Sequence, residues 1–340
     1  DRLEGGHSDD RLFGESGNDH LQGNAGSDVL DGGTGHDRLD GGGERDLLFG
    51  GDGNDILIGG TGVDHLEGGE GNDTYLVHHR DDLHPDFIRD IGGKRDRIKY
   101  TGDESLRFTH FDGQNGIDII DANQRDILGD DHTNHLNFQN VRFADRNQVI
   151  NAGIGDDRII GSAGSEVIKG YVGNDYLEGG AGNDQLFGEQ GKDHLVGGAG
   201  HDQLFGGGDH DRLYGGEGRD TLKGDMGDDY LEGGADHDKL YGEQGHDRLV
   251  GGSGNDQLYG STGKDTLEGE IGNDRLDGGG DNDRLFGGEG NDILKGGTGA
   301  DHLEGGEHDD RLFGHDGDDH LYGGEGADIL KGESGADSLH

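Results

Sequence analysis

Aspartate recurs at every ninth position over long stretches of the chain, and two residues after each one stands a single large apolar side chain. The first array runs through Asp1, Asp10, Asp19, Asp28, Asp37, Asp46, Asp55, Asp64 and Asp73, with leucine from Leu3 to Leu66 and Tyr75 closing the series. The second runs through Asp157, Asp175, Asp184, Asp193, Asp202, Asp211, Asp220, Asp229, Asp238, Asp247, Asp256, Asp265, Asp274, Asp283, Asp292, Asp301, Asp310, Asp319, Asp328 and Asp337. Glu166 is its one departure, and its apolar partners are Ile159, Ile168 and then leucine from Leu177 to Leu339. Periodicity of this kind marks a repeat architecture, in which a unit buries its apolar side chain only by stacking on its neighbours.

The residues before each aspartate are typically Gly-Gly-x-Gly-x, as in Gly50-Gly51-Asp52-Gly53-Asn54-Asp55 or Gly287-Gly288-Glu289-Gly290-Asn291-Asp292. Glycine here predicts a tight turn, with turn positions one, two and four taking φ > 0 and aiming carbonyls inward. The remaining three residues predict a very short strand, whose middle side chain faces one way and its neighbours the other. Leu12, Leu21 and Leu30 then face a core, and Arg11, His20, Gln22 and Asp31 face solvent. Two nonapeptides complete one coil, so that like strands stack in parallel and the aspartates line both edges. The expected fold is all-β, a parallel β-roll.

Between the arrays the phase is lost, glycine thins out and apolar residues alternate, as in Leu106-Arg107-Phe108, Ile117-Asp118-Ile119 and Leu136-Asn137-Phe138, with Val141 and Phe143 following. Several short strands and a turn at His84-Pro85 are predicted there. The organisation expected is a first roll over 1–75, a β-rich capping segment over 76–152 and a second, longer roll over 153–340. Gly50 to Glu70 closely matches Gly287 to Glu307, and Asp1 to Leu30 resembles Asp301 to Leu330, which indicates growth by duplication.

One buried apolar side chain per nonapeptide cannot offset the ordering of so glycine-rich a backbone, and 78 of the 340 residues are glycine. Charge deepens the problem, because 75 acidic residues face 28 Lys and Arg for a net charge of -47. That balance argues against nucleic acid and anionic membrane as partners and for a cation. With no cysteine, thiolate sites are excluded. Calcium suits the donor set, since it takes six to eight oxygens from carboxylates and main-chain carbonyls. The candidate ligands are the aspartates of both arrays from Asp10 to Asp337, and one ion between successive turns on each edge gives roughly 20–26 ions.

These residues resemble the repeats-in-toxin (RTX) family, the haemolysin-type calcium-binding nonapeptide repeats, with the pattern Gly-Gly-x-Gly-x-Asp-x-(large apolar)-x. The resemblance implies a calcium-loaded β-roll in a secreted bacterial protein, folded by extracellular calcium after type I export. The remaining domains of a parent protein and the secretion apparatus are then its partners. It also implies ligation by the sixth-position aspartates of neighbouring turns and by carbonyls around the glycines. Gly68-Gly69-Glu70-Gly71-Asn72-Asp73-Thr74-Tyr75 looks like the usual exit from such an array. Position four is Ser8, Glu44, Asp209, Asp236, Asp281 or His308 in some turns, and position two is Glu15, Glu189, Asp225, Glu243, Glu270 or Glu333 in others, which predicts weaker sites or an extra acidic ligand there. At Glu166, preceded by Ser162 and Ala163, no calcium is expected.

Other constellations read more simply. Histidines at position five (His36, His201, His210, His237, His246) and seven (His20, His65, His194, His302, His320) are expected in solvated turns and strands, although His201, His210 and His237 in a column would suit a transition metal. His132 and His135 beside Asp130 and Asp131 offer a further such site. Aromatics at position nine, among them Phe187 with Phe205 and Tyr241 with Tyr259, are expected as cross-strand pairs; a strip binding glycan or a host surface is the alternative, which would make the chain a structural or adhesive module. No nucleophile elbow, zinc-protease or phosphate-loop motif is present, so catalysis is not expected in this chain. The sequence opens at Asp1 and stops at His340 in mid-motif, which reads as an excised fragment.

Overall fold

The computed structural model describes residues 1–78, 87–90, 92–93, 95–102, 105–108, 110–112, 116–129 and 131–340. The His84-Pro85 turn and Asp130 lie outside the described residues. Every described element is a β-strand and the strand pairs are parallel, so the chain is a parallel β-roll. Among the described residues no helix is long and apolar enough to cross a membrane. Internal contacts divide the chain into two compact units, Asp1–Gly153 with Arg158–Glu166, and Ile154–Asp157 with Val167–His340.

In the first unit successive nonapeptides alternate between two sheets. Arg2–Gly6, His20–Ala25, Arg38–Gly43, Ile56–Thr61 and Thr74–Val77 stack in one, and Arg11–Phe13, Val29–Thr34, Leu47–Asp52, His65–Glu70 and Phe87–Arg89 in the other. Register sets leucine on leucine, Leu21 on Leu39 and Leu39 on Leu57. Most strands are longer than the predicted triplet, Arg11–Phe13 and Phe87–Arg89 keeping three residues, and run on through the first glycines of the next turn, so His20–Ala25 buries Leu21 and Gly23 while Gln22 between them faces outward.

Beyond Thr74–Val77 the same sheet continues through Arg97–Tyr100, Ile119–Asp121 and Arg142–Phe143, with Ile98 paired to Tyr75 and Ile120 to both Ile98 and Phe143. The chain between these strands makes two further parallel ladders, Leu106 with Ile127 and Ile127 with Ile150, then Phe111 with Leu136 and Leu136 with Ile159. Coils here therefore have three sides. A wider coil has more interior to fill, and phenylalanine fills it: Phe111 stacks on Phe138 at 5.1 Å, while Phe108 lies 5.2 Å from Phe111 and Phe143 5.2 Å from Phe138.

The second unit repeats the two-sheet pattern with strands such as Tyr176–Ala181, His194–Ala199 and Arg212–Glu217 on one side and Gln185–Gln190, Gln203–Gly208 and Thr221–Met226 on the other. Its core is one leucine per nonapeptide from Leu177 to Leu321, all without solvent exposure. On the outer face Phe187 stacks on Phe205 at 4.9 Å and Tyr241 on Tyr259 at 5.1 Å, the cross-strand pairs expected from their spacing.

Candidate metal centre

Each strand of the arrays starts immediately after its aspartate, which places the carboxylate where turn meets strand, against the first glycine of its own turn. Oδ1 accepts the main-chain N–H of the aspartate one coil earlier: Asp247 donates to Asp265 at 2.8 Å, Asp265 to Asp283 at 2.9 Å and Asp283 to Asp301 at 2.8 Å. The opposite edge repeats this with Asp256 donating to Asp274 and Asp274 to Asp292, and the first unit with Asp19, Asp37, Asp55 and Asp73. The aspartates thus form two continuous columns in each roll. Asp10, Asp328 and Asp337, in the outermost coils, are half-buried, and the other sixth-position aspartates from Asp19 to Asp319 are buried.

The second carboxylate oxygen is what makes these columns chemically unusual. In Asp193, Asp211, Asp229, Asp247, Asp265, Asp283 and Asp301, Oδ2 is buried and accepts no hydrogen bond. Burying a carboxylate oxygen without a partner is costly. Desolvation, reinforced by like charges one coil away, pushes the Asp211, Asp238 and Asp283 carboxyls up to about 8 and that of Asp247 up to about 7. Asp265 rises less, to about 6, with the nearby His246 opposing the shift.

Position one of the turn is glycine in every repeat from Gly5 to Gly332 except at Ala152 and, before Glu166, remains glycine at Gly161. Its reason is space. These glycines do not have positive φ, contrary to the expectation from sequence, because they are still inside the strand. A Cβ on Gly215 would instead lie 2.5 Å from Asp220 Oδ2 and 2.5 Å from the carbonyl oxygen of Gly233. Sheet pairing skips this position, as between Gly32 and Gly50, while Asp31 with Phe49 and Gly33 with Gly51 are paired. A carboxylate oxygen and a main-chain carbonyl therefore converge in one cradle that any side chain would fill. Positions two and four do take positive φ, and where glycine is replaced the backbone settles near the left-handed helical region, as at Glu189 (φ 77) and Asp209 (φ 75).

These features fit a hard dication: anionic and carbonyl oxygens only, one carboxylate oxygen left over, and room kept open by glycine. Glu166 does not share them. Its carboxylate folds back to accept the Ser162 N–H at 3.0 Å and the Ser162 hydroxyl at 2.7 Å.

The histidines do not form a transition-metal column. His201 and His237 share one edge, with Arg219 between them, while His210 lies on the other. Position-five side chains instead tie turn to turn, His201 Nδ1 accepting the Arg219 N–H at 2.9 Å and Asn255 Oδ1 the Asn273 N–H at 2.7 Å. Among the described residues, the one group of three acidic or histidine side chains with ligand atoms within 4.8 Å of one another is Asp73, Asp90 and Asp96, with no histidine in it.

Sequence reasoning missed Asp90, Asp96 and Asp118. Asp73 donates its N–H to Asp96 Oδ1 at 2.8 Å and Asp96 its own to Asp118 Oδ2 at 3.0 Å, so the column passes into the non-repeat coils. The signal was present, since Asp96-Arg97-Ile98 and Asp118-Ile119-Ile120 keep the Asp-x-apolar order of the repeat, preceded by Gly92-Gly93 and by Gly113 and Gly116, while falling outside its nine-residue spacing.

A family model of the RTX calcium-binding nonapeptide repeat matches the chain in overlapping windows over residues 4–75 and 145–339. No curated protein matches the chain. Repeats of this family bind calcium at multiple sites, which agrees with the buried aspartate columns. The chain belongs to the RTX calcium-binding nonapeptide repeat family.

Proposed function

We propose that the chain is a calcium-gated folding module, disordered while calcium is scarce and folded when it is abundant, that supports export and extracellular folding of a larger secreted bacterial protein. The observation that carries the reading is the column of buried aspartates from Asp193 to Asp301, whose Oδ2 atoms accept no hydrogen bond among the described residues. Calcium, when bound, supplies the positive charge and the oxygen-binding capacity that the columns lack. Ligands are assigned to the sixth-position aspartates from Asp10 to Asp337, without Glu166, together with turn carbonyls. In this reading 1–75 and 153–340 are the two calcium-dependent rolls and 76–152 is the segment between them. Affinities of about 10⁻⁴–10⁻³ M, usual for extracellular modules, keep the chain open before export and closed after it. Type I export, the parent's other domains and the extracellular location are parts of the same proposal. Phe187 and Phe205 stack on each other, which for that pair supports the structural reading over an adhesive strip.

Far-UV circular dichroism of the chain, titrated with calcium from zero to ~10 mM beside a magnesium control, tests the reading. The expected result is a cooperative coil-to-β transition with calcium alone. A metal-free chain that already shows the full β signal overturns it.

A further inference from the structure

The exit of the first array differs from every turn within it. Asp73, Asp90 and Asp96 are all buried, at 0%, 6% and 0% exposure, and each offers an oxygen within 4.8 Å of the other two. Oδ2 of Asp73 and Oδ2 of Asp96 are buried and accept no hydrogen bond among the described residues. Asp90 is held in place from the array side. The Tyr75 hydroxyl accepts the Gly68 N–H at 2.7 Å and donates to Asp90 Oδ2 at 2.8 Å, while Asp90 Oδ1 accepts the Gly92 N–H at 3.3 Å. The oxygens converge on the space Gly68 leaves: a Cβ there would lie 2.5 Å from Asp73 Oδ2, 2.6 Å from Asp90 Oδ2 and 2.7 Å from the Tyr75 hydroxyl.

We propose that Asp73, Asp90 and Asp96 form a separate calcium site, with one carboxylate from the repeat and two from the segment after it, that fills at lower calcium than the repeat turns. The inference rests on reading the aspartate columns as calcium ligands. It goes beyond that reading because Asp90 and Asp96 belong to no repeat. An interior turn brings one carboxylate oxygen and a carbonyl to its cradle, whereas this place brings three carboxylates, and affinity for calcium rises with the charge of the ligand set. Filling it joins the last turn of the array to the Phe87–Arg89 and Arg97–Tyr100 strands that follow. It therefore sets the end of the first array before the interior turns load.

The test is calcium binding by equilibrium dialysis, with dichroism in parallel, on the full chain and on Asp90→Asn. The wild type is expected to bind one ion about ten-fold or more tighter than the rest, and Asp90→Asn to lose that ion while keeping the cooperative transition at higher calcium. A tight ion that survives in Asp90→Asn, or its absence from the wild type while the repeats still fold with calcium, overturns this inference alone. No calcium-dependent transition in either protein instead overturns the reading of the repeats. Should Asp90→Asn fail to fold at saturating calcium, Tyr75→Phe keeps the buried ring and removes the hydroxyl that orients Asp90. It is expected to weaken the tight ion about ten-fold, and unchanged affinity overturns the proposal.

Discussion

Asp265 carries two unlike tasks on its two oxygens, one hydrogen-bonded along the column and one that accepts no hydrogen bond among the described residues. Asn in place of Asp265 keeps an oxygen for the Asp247 N–H and loses charge. The Asp265→Asn chain should therefore need several-fold more calcium for its β transition, while Arg248→Ala, on the outer face and paired with Glu268 at 3.0 Å, should change it little. Equal shifts in a dichroism titration would count against the assignment. The glycines make a sharper test. Gly215→Ala places a methyl against Asp220 and the Gly233 carbonyl, and overpacking of this kind costs about 1–3 kcal/mol. Gly216→Asn, although φ there is 113, should be tolerated better, since other turns carry Glu189 or Asp225 at the same position. Urea denaturation of the calcium-loaded variants ranks the two.

Acidity acts on the same residues with a definite sign. Burial raises the carboxyls of Asp211, Asp247 and Asp283 from 3.8 to about 8, 7 and 8, so the metal-free roll is least disfavoured below the unfolded value of 3.8 and becomes harder to form as pH rises through 6 to 8. Calcium needs the ionised form. The transition runs from an unfolded chain, whose carboxyls titrate near 3.8, to a calcium-loaded roll with ionised carboxylates, so the calcium midpoint should change little between about pH 5.5 and 8 and climb as pH falls toward about 4; a midpoint that falls about ten-fold or more from pH 5.5 to 8 would contradict the assignment.

At the scale of the strand, the alternation of sides decides which residues matter. His194–Ala199 buries Leu195 and Gly197 and turns His194 and Val196 outward, and this order recurs along both sheets. Removing an inward side chain leaves a cavity between two coils that cannot close. Leu213→Ala should thus lose about 2–5 kcal/mol in calcium-saturated denaturation, while Phe187→Ser, which breaks one outer stack, should lose only about 0.5–1.5 kcal/mol. The apolar partner, the short strand and the pairs Phe187 with Phe205 and Tyr241 with Tyr259 were legible in the spacing alone. The position-five ladder was not. Asn, Asp and His look like ordinary turn residues, and only the stacked coils show that their side chains accept an N–H from the next turn.

For the whole molecule, the unit of tolerance is the coil of two nonapeptides, because it returns the chain to the same sheet and the same column. Deleting residues 257–274 removes one such coil and should leave a cooperative calcium transition in the same dichroism titration, and its loss would count against the coil as the unit.

The nine-residue period by itself determined the roll, its inward leucines, its aspartate columns and the metal they suit, because alternation along a strand and stacking of equal coils follow from local geometry. Only the tertiary structure decided how the chain continues from Leu76 onward. Those coils have unequal lengths and three sides, so their register comes from the strands they find rather than from any spacing along the chain. Pairing of Arg97–Tyr100 with Thr74–Val77 carries Asp96 into the column after Asp73, and the Tyr75 hydroxyl holds Asp90 beside them. The same holds for the glycine at position one, whose purpose is the oxygen-lined space between two coils and so cannot be read within a single repeat.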